Sequence, residues 1–108
     1  MDLVKKHCVP CEGGIPPLSD EKENELIGQV SNWILLRDGT HLIRRMFTFK
    51  DFKTAMIFVN KVAELANAED HHRDIKIVYS KVQLDLFTHA VGGLSESDFI
   101  MAAKIDRI

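Results

Sequence analysis

The chain has 108 residues, with 14 lysines and arginines against 16 aspartates and glutamates and a formal net charge of −2. This length supports one hydrophobic core, and the weak negative charge excludes a protein that binds nucleic acid by neutralising phosphates. No apolar run reaches the roughly 18–20 residues of a membrane span, and the N-terminus lacks the apolar stretch of a signal peptide. The sequence therefore predicts a cytoplasmic protein without a membrane partner.

Residues 1–17 are predicted to form an irregular arm ahead of a single domain over 18–108, because five prolines and glycines interrupt regular structure there. The arm carries Cys8 and Cys11 in a C-x2-C spacing, with His7 beside them. One such pair supplies only two of the four ligands of a structural zinc site. Histidines elsewhere could complete the site only if the arm folded over them. Free thiols without a metal are the favoured interpretation.

The first predicted helix covers about 19–29, with Ser19 as its N-cap and acidic residues in its first turn. Two strands follow at 32–38 and 41–48. The Asp-Gly pair between them is typical of a tight hairpin, since such a turn needs a positive φ.

The longest predicted helix covers 51–69. Apolar residues recur in it at spacings of three and four, which indicates a face packed on the core. The members of this stripe are Phe52, Met56, Val59, Ala63 and Ala66, widened by Ala55, Val62 and Leu65.

A second hairpin is predicted from the alternating patterns at 75–79 and 82–86, with Ser80 and Lys81 as its turn. After the Gly92-Gly93 break, Ser95 and Asp98 have the capping-box spacing at the start of a helix over about 96–107. The resulting order is α-β-β-α-β-β-α. It predicts an α+β domain with a four-stranded antiparallel sheet and three helices on one face.

Three of the five histidines are candidates for chemistry. His71 and His72 are adjacent at the end of the long helix, so at least one of them must face a cleft or solvent. Imidazole exchanges protons near neutral pH, as general acid–base catalysis requires. The alternative is a polar helix end in which the histidines favour the negative end of the helix dipole.

His89 follows Thr88 at the end of the last strand, with a parity opposite to the buried positions. It also lies beside the glycine pair, where a ligand could approach. A polar strand end is the alternative interpretation. Asp98 has a structural role as the capping acid, and the same carboxylate could also orient a histidine.

Taken together, these residues resemble the pterin-4a-carbinolamine dehydratases. The family pattern has a His-His pair, an aromatic residue, a Thr-His pair, a Gly-Leu-Ser/Thr run and an aspartate. This chain has them at 71–72, Tyr79, 88–89, 93–95 and Asp98, with no gaps in the spacing. The resemblance extends over about 16–108.

The resemblance implies the fold predicted above and an enzyme that removes water from a 4a-hydroxytetrahydropterin, giving quinonoid dihydropterin. That reaction recycles the cofactor of aromatic amino-acid hydroxylases and needs no metal or organic cofactor. Carried over by position, His71 and His89 are the proton-transfer pair, and His72 is a catalytic-site residue that binds the ring. The remaining substrate-binding positions are Arg73, Thr88, Ala90, Val91 and Asp98.

The chain departs from the family pattern at two positions. Arg73 replaces the usual proline after the histidine pair, and it could contact the pterin or a neighbouring acid. Asn67 stands where an acidic residue often precedes the first histidine by four, so a carboxylate that orients a histidine is expected to be missing there.

Two alternatives belong to other functional classes. One is a non-catalytic regulatory protein on the same scaffold, since some animal members of the family are dimerisation cofactors of a homeodomain transcription factor. The other is the zinc site that includes Cys8 and Cys11. The family also implies a homodimer or homotetramer.

Overall fold

A computed structural model of the chain describes residues 3–6 and 16–108. His7, Cys8 and Cys11, and with them most of the predicted arm, lie outside the described residues. The described part has three α-helices, four strands and two 3-10 turns. In chain order they are a 3-10 turn at Leu3–Lys5, α1 (Asp20–Ile27), β1 (Ile34–Leu36), β2 (Leu42–Thr48), α2 (Phe52–Glu69), β3 (Asp74–Val78), β4 (Lys81–Leu86), a 3-10 turn at His89–Val91 and α3 (Glu96–Ile105).

The four strands form one antiparallel sheet in the order β1-β2-β4-β3. β2 and β4 therefore lie at the centre, and each hairpin adds an edge strand on its outer side. This arrangement, together with the three helices, confirms the predicted α+β fold class.

The core lies between one face of the sheet and the helices. Alternate residues of β4 are buried, as the period-2 pattern requires, together with Ile43 of β2. α3 is buried almost all round and carries Phe99 and Met101 into the centre of the core. Because α3 is this deeply packed, its side chains are fixed in position relative to the end of α2.

The stripe predicted for α2 is buried or half-buried except at Phe52, and it left out Phe58, which the structure buries. The buried residues are Ala55, Phe58, Val59, Val62 and Ala66, whereas Phe52 is 49% exposed. Phe52 is the first residue of the helix, where its ring stacks on Tyr79 with centroids 6.5 Å apart instead of entering the core.

The second hairpin differs from its prediction in its turn. Val78 pairs with Lys81, so the turn residues are Tyr79 and Ser80 rather than Ser80 and Lys81. Tyr79 has a φ of 54°, in the left-handed region, which ends β3 one residue early. The strand lies at the sheet edge, and all five of its residues are exposed.

The first hairpin is anchored to α1 through Glu23, whose side chain is completely buried. Arg37 donates from Nε to Glu23 at 3.0 Å, and Nδ1 of His41 lies 2.9 Å from the other carboxylate oxygen. These two residues flank the turn at Gly39 and turn towards Glu23, so at this end both β1 and β2 stop short of their predicted bounds. β1 also begins at Ile34, two residues later than predicted.

Leu3 is 3% exposed and belongs to the core, so the first residues of the predicted arm are not wholly irregular. In the described residues, no helix combines the length and the apolar character that crossing a bilayer would require.

Candidate active site

The two adjacent histidines lie where the chain leaves α2. Asp70 is the C-cap and has a φ of 51°, and its backbone N–H donates to the carbonyl groups of Ala66 and Asn67. The left-handed residue redirects the chain, and His71 still donates its backbone N–H to Ala66 at 3.0 Å. This cap sends the side chains of His71 and His72 in different directions.

Replacing Asp70 with glycine is expected to raise the free energy of unfolding by about 1 kcal/mol, because glycine adopts the left-handed region without a Cβ penalty. The change also removes a negative charge from the negative end of the helix dipole. Urea denaturation measures the difference. Asp70→Ala is the matched control, since it removes the same charge and keeps the Cβ. An equal gain in both variants would show that the charge, not the backbone, is responsible.

His71 is held by a carboxylate from α3. Its Nε2 lies 2.6 Å from Oδ1 of Asp98, a side chain with no exposed surface, and the side chain of His71 itself is 10% exposed. A carboxylate oxygen only accepts, so Nε2 carries the proton and the neutral ring presents Nδ1 as its proton acceptor. The contact therefore fixes both the orientation and the tautomer of His71.

Asp98 is itself held in place by the start of α3 and the end of β4. Its Oδ2 accepts the backbone N–H of Ser95 at 2.9 Å, which is one half of the predicted capping box. The same oxygen accepts the hydroxyl of Thr88 at 2.8 Å. The hydroxyl of Ser95 lies 2.7 Å from that of Thr88 and donates to it, since the proton of Thr88 is already used. With no exposed surface, Asp98 acts on a ligand only through His71.

His72 is exposed, and its Nε2 lies 2.8 Å from Oδ1 of Asn67, one turn earlier on α2. The amide oxygen accepts from the ring N–H and leaves Nδ1 free. The sequence analysis treated Asn67 only as the absence of an expected acidic residue. In the structure, Asn67 orients the second histidine. The carboxylate expected to be missing is supplied to the first histidine from position 98.

His89 begins the 3-10 turn that follows β4, and it is exposed along with Ala90, whereas Val91 is buried. Gly92 closes this turn with a φ of 70°. Gly93 backs onto Pro17, and a Cβ there would lie 3.0 Å from the proline side chain. Gly92 supplies the left-handed residue that the turn needs, and Gly93 allows the close packing against Pro17. The approach of a ligand beside them stays a prediction. Thr88 connects the turn to the site, since it shares Asp98 with His71.

A cavity of about 110 Å³ opens beside His71 and His72. Its polar rim also includes Arg73 and Asp74, and the cavity reaches down to the sheet and to α3. The other lining residues are Val62, Ala63, Ala66, Asn67, Ile75, Leu84, Leu86, Met101 and Ile105. Of the described residues, Thr88 and the 89–91 turn are not in this lining. A ligand that contacts both His71 and His89 must therefore extend out of the cavity mouth.

The guanidinium group of Arg73 lies over the ring of Phe87, 4.3 Å from its centroid. Its Nε donates to the backbone carbonyl of His72 at 2.7 Å. Sequence reasoning missed Phe87, because a cross-strand platform of this kind leaves no local pattern. The apolar residues that line the cavity were predicted to be ordinary core. Buried core residues and cavity-lining residues recur with the same helix and strand periodicity, so the sequence does not distinguish them.

The arrangement combines an oriented imidazole, a second imidazole, a guanidinium and an apolar cavity. Such a site can hold a flat, partly polar ring and exchange protons with it near neutral pH.

Comparison with known proteins identifies the family. The family model for pterin 4 alpha carbinolamine dehydratase matches residues 16–108. A Nitrosospira multiformis protein provisionally named pterin-4-alpha-carbinolamine dehydratase is 50% identical over 107 residues, covering 99% of this chain and 92% of that protein. A Rubrobacter xylanophilus protein of the same provisional name is 44% identical over 107 residues, covering 99% and 98%.

A solved structure with a similar fold has a description that matches the names of these related proteins. The crystal structure of transcriptional coactivator/pterin dehydratase from Brucella melitensis has a TM-score of 0.78 and 33% identity, covering 84% of this chain and 96% of that one. The range that the family model matches contains the three α-helices and four strands of the described residues, together with every residue of the site. On sequence and on fold, this chain belongs to the pterin 4 alpha carbinolamine dehydratase family.

Proposed function

We propose that this protein removes water from 4a-hydroxytetrahydropterins to give quinonoid dihydropterins, using histidines as its general acid and base. Family membership supports the reaction class. The observation that carries the mechanism is the 2.6 Å hydrogen bond between His71 and the buried carboxylate of Asp98, beside a cavity large enough to admit part of a ring. The product is the form that would be reduced to regenerate the cofactor of aromatic amino-acid hydroxylases.

The reaction moves two protons. The hydroxyl group leaves C4a as water and takes up one proton, and a ring N–H loses another as the new double bond forms. Two imidazoles on different sides of the ring suit this exchange, because both forms of imidazole are populated near neutral pH. In the proposed arrangement, His71 and His89 exchange these protons and His72 contacts the ring.

The other residues expected to bind the substrate divide into two groups. Asp98 and Thr88 are buried and position His71. Arg73 and Ala90 lie at the surface of the site, where a bound pterin can touch them, and buried Val91 supports the turn that carries His89.

The test is the rate at which 4a-hydroxytetrahydropterin disappears, followed by ultraviolet absorbance with and without the protein. We expect acceleration by the wild type and a loss of about a hundredfold in kcat for His89→Ala, the size of one general acid–base contribution. His41→Gln is the matched control, since His41 lies at the first hairpin, where it contacts Glu23, and should keep full activity. A folded wild-type protein that gives no acceleration would overturn the proposal.

A coactivator role is the second candidate, because the matching Brucella melitensis structure carries that description beside the dehydratase one. Such a role requires neither the His71–Asp98 contact nor the cavity. A protein that is inactive on the pterin and binds a transcription factor with all its histidines replaced would favour this candidate.

We also propose a homodimer or homotetramer. The edge strand β3 supports this, because all of its residues are exposed and Ile75, Ile77 and Val78 are apolar. An open, apolar strand edge favours pairing with a second copy. The cytoplasmic location, the absence of direct nucleic-acid or membrane binding and the absence of a zinc site at Cys8 and Cys11 stay predictions.

A further inference from the structure

Arg73 stands at the rim of the cavity on a rigid support. The ring of Phe87 lies beneath its guanidinium group at 4.3 Å, and the bond from its Nε to His72 fixes the near end of the group. Within the described residues the guanidinium group donates through Nε alone, and its position over the aromatic face adds a cation–π attraction. The two terminal nitrogens therefore remain available to a ligand.

Arg73 forms no ion pair with any of the described residues. Three of the other four arginines have carboxylate partners there: Arg37 pairs with Glu23, Arg44 with Asp85 and Arg45 with Asp106. The fourth, Arg107, is exposed after α3 and does not line the cavity. Arg73 lines the cavity and has no carboxylate partner in the described part of the chain. A half-buried cation that is held in place and unpaired is suited to an anion supplied from outside.

The acidic residues around the cavity do not cancel the attraction of Arg73 for an anion. Asp98 is committed to His71, Thr88 and Ser95, and Glu69 lies 3.7 Å from Nζ of Lys104. Asp74 also lines the cavity, but it is exposed and begins β3, where solvent screens its charge. Arg73 is therefore a charged group at the rim whose position is fixed and whose charge a ligand can reach.

Arg73 can select among pterins only if the site binds pterins, as proposed above. On that basis, we propose that Arg73 makes the site selective for pterins whose side chain carries an anionic group. A carboxylate and a phosphate share the relevant chemistry, because both present paired oxygens to the two terminal nitrogens of a guanidinium group.

Binding is measured by titrating three fluorescent pterins: neutral 6-hydroxymethylpterin, its phosphate ester and 6-carboxypterin. We expect the wild type to bind at least one of the anions about tenfold more tightly than the neutral compound, and the stronger of the two identifies the anionic group. Added salt should reduce this advantage, since the attraction is electrostatic and partly exposed.

Arg73→Gln should bring the anionic and neutral affinities to within about twofold of each other. Arg73→Lys should keep part of the advantage, because an ammonium group retains the charge but not the paired geometry. Lys53→Gln is the matched control, since it removes the same charge at the far end of α2 and should keep the wild-type ratio.

Three results overturn the selectivity, and they differ in whether the proposed function survives. If the wild type dehydrates and binds the neutral pterin but gains nothing from either anion, or if Arg73→Gln keeps the advantage, Arg73 does not select and the proposed function stands. If the wild type binds none of the three pterins and does not accelerate dehydration, the proposed function fails as well.

Discussion

Replacing His71 with alanine is expected to lower kcat for pterin dehydration about a thousandfold, a loss of about 4 kcal/mol in transition-state stabilisation. The fold orients His71 firmly, with its Nε2 bonded to Asp98 and its side chain mostly covered. The stopped-flow rate of 4a-hydroxytetrahydropterin loss measures the effect, with the melting temperature of each variant as the check on folding.

Asp98→Asn should lower kcat about a hundredfold, because it changes the tautomer of His71. The amide oxygen can still accept from Ser95 and Thr88, which places the amide NH2 group opposite Nε2 of His71. The ring must then accept at Nε2 and carry its proton on Nδ1, the wrong form for a base that acts through Nδ1. KM should change much less than kcat, because Asp98 does not reach the ligand.

A double variant tests whether Asp98 acts only by positioning His71 or has an independent role in catalysis. If Asp98 acts through His71, adding Asp98→Asn to His71→Ala should cost no more than about twofold. A further large loss in the double variant would contradict this assignment. Glu96→Gln is the control on the same helix, since it makes the same chemical change at a surface carboxylate bonded to Lys6.

Glu23→Ala is expected to lower the free energy of unfolding by about 3 kcal/mol, because it removes a buried carboxylate that two side chains contact. Glu23 is completely buried, and its two partners approach from the first hairpin. Removing the carboxylate leaves a small cavity and two donors without their acceptor. The partners are about one-third exposed and regain some hydration, which keeps the loss at the lower end for buried pairs.

Urea denaturation measures this change, and the slope of the transition shows whether unfolding remains two-state. Glu25→Ala is the matched control on the same helix, because Glu25 is exposed and pairs with Lys22 at 3.5 Å. Its loss should stay within about 0.5 kcal/mol. Alanine has a higher helix propensity than glutamate, so neither change weakens the helix itself. An equal loss in both variants would mean that the buried contacts of Glu23 are not the source of the loss.

The sequence predicted the elements well where one residue pattern controls the local structure. The alternation in β4 and the capping box at Ser95 are examples, and the second also identified Asp98. The exposed Phe52 and the left-handed Tyr79 were missed, since each depends on the contact between the start of α2 and the second hairpin. Edge position, which exposes β3, is likewise a property of the assembled sheet.

The candidate site was predictable in its residue types and less so in its contacts. Spacing placed His71, His72, His89 and Asp98 in one family pattern. The pairing of Asp98 with His71 and of Asn67 with His72 depends on how α3 docks against the end of α2, which no local pattern encodes. For that reason the apparent loss of an acid at Asn67 was misleading.

The strand order has a consequence for how the chain folds. Each hairpin contains only neighbouring strands and can form early, but the two hairpins meet only through β2 and β4, which lie on either side of the whole of α2. That pairing is non-local, so the entropy of closing the intervening segment should set the folding rate. Until it closes, the inner edges of both hairpins stay unpaired, and those half-formed chains are the species most prone to aggregate during synthesis.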